Sequence, residues 1–177
     1  RAAWGERDLE RRVRGCAQHL ANAGDADAAI STYEAAGAWR EVAALVEARF
    51  AQWLREGRMA TIAEWLRKFA AVSSPQLLDD VRPTLERWQG TLLALQRDVA
   101  AFDWLERSHR GHLEHGQHVQ ALLAVVARME AYFLLWEQWP ESSMWADELE
   151  RLFDLVEHQL PRPLLVRVLT SCASMMF

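Results

Sequence analysis

A glycine-led phrase recurs along the first third of the chain, and an amphipathic segment follows each copy. The copies are Ala23-Gly24-Asp25, Ala36-Gly37-Ala38 and Glu56-Gly57-Arg58, and apolar residues restart at helical spacing after each of them. Glycine adopts the left-handed backbone conformation that ends a helix, because it has no Cβ to clash. The pattern predicts short helices joined by tight turns, which is typical of helical solenoids. Since solenoids usually present binding surfaces, we expect a binding protein rather than an enzyme.

The rest of the chain has the same helical periodicity and almost no strand signal. We predict an all-α fold: a right-handed superhelix of antiparallel helix pairs, built from degenerate tetratricopeptide-like repeats. Successive pairs begin about 34 and then about 46 residues apart, which brackets the repeat lengths of helical arrays. The predicted helices span about 8–23, 26–36, 39–55, 59–69, 83–97, 99–113, 117–136 and 141–158, and a last one begins at Pro163.

We expect one helical-repeat domain over 1–177, which is a fragment of a larger protein. Residues 1–72 would form the N-terminal repeats, and 73–177 would form longer degenerate helix pairs that are truncated at the C-terminus. Two features suggest a fragment: the chain begins at Arg1 without an initiator Met, and its apolar end at Phe177 has no polar capping helix.

The charge balance is acidic, with 20 Lys and Arg against 25 Asp and Glu. No basic face is visible, so we expect no direct contact with nucleic acid. No apolar run approaches the roughly 20 residues that span a bilayer, and the longest candidate, Leu164–Phe177, is interrupted by Arg167 and Thr170. We also expect no signal peptide, because the first residues form a charged stretch without an apolar core. The segment is therefore predicted to be cytoplasmic, without membrane contact.

Sequence motifs of catalysis are missing: there is no G-x-S-x-G, H-E-x-x-H or G-x-x-x-x-G-K. We therefore expect no catalytic residue and no cofactor in this segment. Cys16 and Cys172 are predicted to be small buried core residues in a reducing compartment. The acidic pairs Asp79-Asp80 and Glu148/Glu150 are expected to be solvated charges on helix exteriors or caps.

Histidines cluster in the middle of the chain, three residues apart each time: His109, His112, His115 and His118. Histidines at this spacing can bind a transition metal, but Glu114 is the only further candidate ligand nearby. Gly111 and Gly116 are expected to interrupt the helix that carries them. The sequence therefore favours an exposed helix end over a metal site, and we predict no metal.

The chain contains nine tryptophans in 177 residues, which is a high proportion, and most of them fall on inward faces of the predicted helices. Arginine and aromatic residues also dominate binding hot spots, and flat aromatics on the inner wall of a superhelix suit peptides or sugar rings. The first helix of each pair lines that concave wall. The candidate ligand- or partner-contacting residues there are Arg87, Trp88, Arg128, Tyr132 and Trp136. Alternatively, Trp88 and Trp136 only hold neighbouring repeats together.

Residues 7–69 resemble the helical array of large bacterial regulators of the maltose-activator (MalT-like) type. The resemblance lies in the phrase from Gly24 to Ile30, in Ala36–Glu47 and in Leu54–Leu66, which match the family's A-G-D-W-E-x-A-A and L-L-R-x-G-E phrases. It continues through Pro75-Gln76-Leu77 and Arg82-Pro83-Thr84-Leu85. It covers about half of the chain.

This resemblance implies a sensor and interaction domain of an ATP-dependent, LuxR-type transcriptional regulator. In such proteins the array binds an inducer or a protein partner and relays the event to a nucleotide-binding switch domain. None of the ATPase motifs lies in this segment. The alternatives that stay open are a free-standing scaffold or adaptor for protein interactions and a helical accessory domain of an enzyme. Self-association is a further option.

Overall fold

A computed structural model describes residues 6–72, 78–135 and 142–174. These residues are 84% helical and include no strand, which confirms the predicted all-α fold. The chain divides into two compact units, Arg1–Val81 and Arg82–Phe177.

The described part of the first unit, 6–72 and 78–81, contains four α-helices, and each of them packs against the next along the chain. Amphipathic sequences explain them, because each helix turns one apolar face towards its neighbours. Asp25 caps the second helix, where its carboxylate accepts a hydrogen bond from the Ala28 backbone N–H at 3.1 Å. An edge-to-face contact of 5.5 Å joins the Trp39 and Phe69 rings. The helices are α1 (Glu6–Asn22), α2 (Ala26–Ala35), α3 (Trp39–Arg55) and α4 (Met59–Ala70).

The second unit is built around one central helix, which packs against four others. A short 3₁₀ turn over Glu157–Gln159 follows the fourth helix of this unit. The helices are α5 (Arg82–Leu95), α6 (Ala101–Glu114), α7 (His118–Leu135), α8 (Ser142–Val156) and α9 (Arg162–Ser174), and α7 is the central one.

Helix α7 is the most apolar of the described helices. Among the described residues it alone is long and apolar enough to cross a membrane, by length and composition, with a mean hydropathy of 1.3. The expectation that no apolar run approaches the length of a bilayer, with Leu164–Phe177 as the longest candidate, is therefore wrong for His118–Leu135. It is also 61% buried inside the second unit. A buried core helix passes the same test, and its packing against α5, α6, α8 and α9 explains the apolar sequence.

Five helix ends share one turn geometry, in which a residue with positive φ lies one position past the helix cap. Gly24 (φ 85°), Gly37 (65°), Gly57 (70°) and Gly116 (66°) occupy this position in four turns, and Arg97 (60°) occupies it in the fifth. The two hydrogen bonds that define a Schellman motif recur in each turn; at Gly57 they run from Gly57 N–H to Leu54 O and from Arg58 N–H to Trp53 O. The predicted left-handed backbone at the helix ends marked by Gly24, Gly37 and Gly57 is confirmed.

Replacing Gly24, Gly37 or Gly57 with Val should lower the free energy of unfolding by roughly 1 kcal/mol or more. A Cβ at these glycines would meet nothing within 4 Å, so the cost comes from the backbone conformation alone. The reverse change, Arg97→Gly, should raise stability by about 1 kcal/mol, since Arg97 already has positive φ. Thermal unfolding followed by circular dichroism checks both directions. Unchanged midpoints in all three Val variants would contradict the turn geometry.

Gly111 does not interrupt its helix, so that prediction is wrong: α6 continues to Glu114 and ends before Gly116. The reason is a tertiary contact. A Cβ at Gly111 would lie 2.7 Å from the Pro83 side chain, so the missing side chain lets α5 and α6 approach closely.

The prediction that Cys16 is buried is also wrong, because its side chain is exposed on α1. The inward-facing small residue is its neighbour Ala17, which has no exposed surface. A step of one residue turns the side chain by about 100° around a helix, so an error of one position moves a residue off the apolar face. The side chain of Cys172 lies outside the described residues.

Candidate functional site

Of the five residues predicted to line a concave wall, three are buried in the core of the second unit. Trp88 has no exposed surface, and Arg87 and Arg128 are 2% and 3% exposed. Tyr132 is partly buried, and Trp136 lies outside the described residues. The burial of Trp88 agrees with the alternative that it holds neighbouring helices together. Ligand contact by these residues stays a prediction.

Arg128 joins three helices of the second unit. Its guanidinium lies 5.2 Å from the Phe102 ring of α6 and 4.3 Å from the Trp145 ring of α8, both within cation–π range. It also donates a hydrogen bond to the Phe102 backbone oxygen and lies 3.6 Å from the Glu106 carboxylate. Arg128 therefore fixes the position of the Trp145 ring.

An open groove of about 500 Å³ lies between α6 and α8, and Trp145 is one of the residues that line it. Apolar atoms make up most of its lining surface, although four of its seven lining residues are polar or charged, and Met144 is 55% exposed. Charged side chains lie along α8. The full lining is His109, Leu113, Met144, Trp145, Asp147, Glu148 and Arg151.

A hydrogen-bonded network of three charged or titratable groups spans this groove. His109 Nε2 lies 2.8 Å from Glu148 Oε1, and Arg151 donates two hydrogen bonds of 2.7 Å to the same carboxylate. Because a carboxylate only accepts, the neutral His109 carries its proton on Nε2. The imidazole also contacts Trp145 edge-on at 5.2 Å between ring centroids. The network connects the two helices on either side of the groove.

Burial and charge shift the pKa values of this network in a consistent way. Burial lowers the pKa of His109 below its usual 6.5, and the hydrogen bond to Glu148 offsets only part of this. The hydrogen bonds from Arg151 hold the pKa of Glu148 below its usual value, and the same contact raises the pKa of Arg151. Near neutral pH the groove therefore holds a neutral imidazole beside a Glu148–Arg151 ion pair.

The stability of the second unit should fall as the pH drops below 6.5. The pKa of His109 is lowered on folding, so the unfolded chain takes up the proton first and acid favours unfolding. In His109→Gln this part of the pH dependence should disappear. Urea unfolding followed at several pH values between 5 and 8 measures it, and identical slopes for the wild type and His109→Gln would contradict the burial of a neutral imidazole.

The four clustered histidines have different neighbours and do not converge. His112 is fully buried and lies 2.7 Å from Gln117 Oε1, whereas His115 is exposed at the end of α6. The predicted exposed helix end is therefore wrong for His112 and for His109, whose side chain is only 12% exposed. Within 6–72, 78–135 and 142–174, no three His, Cys, Asp or Glu side chains are grouped as metal ligands.

Sequence reasoning missed most of this groove. Glu148 was expected to be a solvated charge, but its side chain is only 20% exposed because it accepts hydrogen bonds from His109 and Arg151. The Glu148–Arg151 spacing of three residues on a helix was a usable signal. The pairing with His109, 39 residues earlier, was not, because it depends on how α6 and α8 pack.

Comparisons with protein-family models, with curated proteins and with solved structures found no match to this chain.

Proposed function

We propose that this chain is the sensor and protein-interaction domain of a bacterial ATP-dependent transcriptional regulator of the LuxR type. It binds a protein partner or an inducer and relays that event to an ATPase switch domain elsewhere in the regulator. The observation that carries the binding function is the open, largely apolar groove between α6 and α8, with its charged network. The assignment to a regulator rests on the resemblance of residues 7–69 to maltose-activator arrays.

The spacing of the helices supports a repeat architecture. Helix α1 ends at Asn22 and α3 ends at Arg55, 33 residues later. The positive-φ glycines Gly24 and Gly57 lie the same distance apart, close to the 34 residues of a tetratricopeptide repeat. This period supports the proposed right-handed superhelix of antiparallel helix pairs, since short turns usually join antiparallel neighbours.

On this proposal the chain itself performs no chemistry and works in the cytoplasm. We expect the 177-residue chain neither to hydrolyse ATP nor to bind duplex DNA, because it is acidic and contains no phosphate-binding loop. Phosphate release and fluorescence anisotropy with labelled duplex DNA measure the two activities. Salt-sensitive DNA binding at micromolar protein would contradict the proposal.

A free-standing scaffold is the second candidate, and the same groove would serve it equally well. The complete gene distinguishes the two functions. A regulator requires a G-x-x-x-x-G-K motif before this segment and a helix-turn-helix after it, whereas a scaffold requires neither. A gene that encodes only helical repeats would overturn the regulator and leave the scaffold.

A further inference from the structure

We infer that the groove between α6 and α8 binds a basic amphipathic segment of a partner protein. Apolar side chains of that segment would pack on Met144 and Leu113, and a Lys or Arg beside them would meet the exposed carboxylate of Asp147. The inference rests on the proposed function, because it names the kind of partner that the interaction domain takes.

The shape of the groove favours a peptide segment over a small molecule. Sites for small ligands enclose about 70–90% of the ligand surface, whereas this groove of about 500 Å³ is open along two helices. An open apolar groove between helices fits one face of an amphipathic helix, which inserts a few side chains and leaves its other face in water.

The charge of the flanking helices selects a basic partner. Helices α6 and α8 together carry seven acidic and three basic side chains, which gives a net charge of −4 when the histidines are neutral. In the groove lining itself Arg151 pairs with Glu148, so the net charge of −1 comes from Asp147. Asp147 is exposed at its rim. The negative electrostatic potential of these carboxylates attracts Lys and Arg and repels acidic segments.

The floor of the groove is rigid and its edge is adaptable. Trp145 is 5% exposed and is held between the Arg128 guanidinium and the His109 ring, at 4.3 and 5.2 Å. A fixed aromatic floor lowers the entropic cost of binding. Met144 is unbranched and 55% exposed, and methionine adjusts readily to different apolar side chains.

The test uses the whole 177-residue chain and a synthetic helical peptide of leucine and lysine with one apolar and one basic face. Its dissociation constant is measured by fluorescence anisotropy at low and physiological salt. A peptide with glutamate in place of lysine is the charge control. We expect binding of the lysine peptide, at least about tenfold weaker binding of the glutamate peptide, and weaker binding of the lysine peptide as salt rises.

Matched pairs of substitutions on α8 locate the site. Met144→Asp should weaken binding by about tenfold or more, whereas Leu155→Asp changes an exposed leucine outside the groove and should have little effect. Asp147→Asn should weaken binding a few-fold and reduce its salt dependence. Asp154→Asn makes the same charge change away from the groove, and it should change neither the affinity nor its salt dependence. All four positions are exposed, so the fold is expected to persist, and circular dichroism verifies it.

Three outcomes would overturn the inference. The first is equal loss of binding in the groove variants and in their matched controls, and the second is equal binding of the two peptides. The third is Met144-dependent binding of the neutral dye Nile red without binding of the lysine peptide, which would indicate a site for small apolar molecules. None of these outcomes decides whether the gene encodes a regulator, so failure here is distinguishable from failure of the proposed function.

Discussion

Trp88→Ala should lower the free energy of unfolding of the second unit by about 3–5 kcal/mol. The Trp88 side chain has no exposed surface, so its removal loses the burial of a large ring and leaves a cavity among the helices. Urea unfolding followed by far-ultraviolet circular dichroism measures the change. A loss of this size would mean that Trp88 holds the helices together. This is the alternative to ligand contact that the sequence analysis left open for Trp88.

Trp104→Ala is the matched control for this substitution. Trp104 is only partly buried, and its ring contacts the Arg107 guanidinium at 4.0 Å near the surface. Its removal should cost far less, about 1 kcal/mol. If Trp88→Ala cost no more than Trp104→Ala, the described packing of α5 would be wrong.

Arg128→Ala should destabilise the same unit by about 2–4 kcal/mol. The change leaves a cavity between the Phe102 and Trp145 rings and removes the hydrogen-bond donor from the buried Phe102 carbonyl. Arg128→Met restores much of the volume and should cost less. The measurement is again urea unfolding.

Arg110→Ala is the control for the charge. Arg110 also pairs with Glu106, at 3.1 Å, but its side chain is 65% exposed. Exposed ion pairs contribute little, so we expect a change below about 0.5 kcal/mol. Equal effects of the Arg128 and Arg110 substitutions would contradict a buried structural role for Arg128.

These effects bear on how a ligand contact can be tested. If Arg128→Ala or Trp88→Ala unfolds the second unit, a loss of binding in either variant follows from the loss of fold. Exposed positions such as Met144 and Asp147 do not have this difficulty. The groove variants are therefore the better probes of binding.

Local chemistry explains which parts of the fold could be predicted from the sequence. The prediction of a helix over 39–55 agrees with α3 because the turns at Gly37 and Gly57 mark both of its ends. A Schellman turn needs only a residue that tolerates positive φ, so a glycine in the sequence indicates where such a turn can form. The turn at Arg97 carries no such residue: the break between the helices over 83–97 and 99–113 was predicted, but the positive φ of Arg97 was not.

Tertiary packing explains the parts that could not be predicted. Gly111 indicates a helix break by propensity, but here it allows the close approach of Pro83 within an unbroken helix. The contact between His109 and Glu148 joins residues 39 positions apart. Periodicity places each of them on a helix face without indicating which faces meet, so the groove could not be derived from the sequence.

The central claim is that the α6–α8 groove receives the signal of a regulator. The most direct measurement is transcription from a reporter controlled by the complete gene product, in the presence of its activating partner or inducer. We compare Met144→Asp with Leu155→Asp, after circular dichroism has shown that both proteins are folded. We expect loss of the response in Met144→Asp and a normal response in Leu155→Asp. A normal response in both folded variants would contradict it.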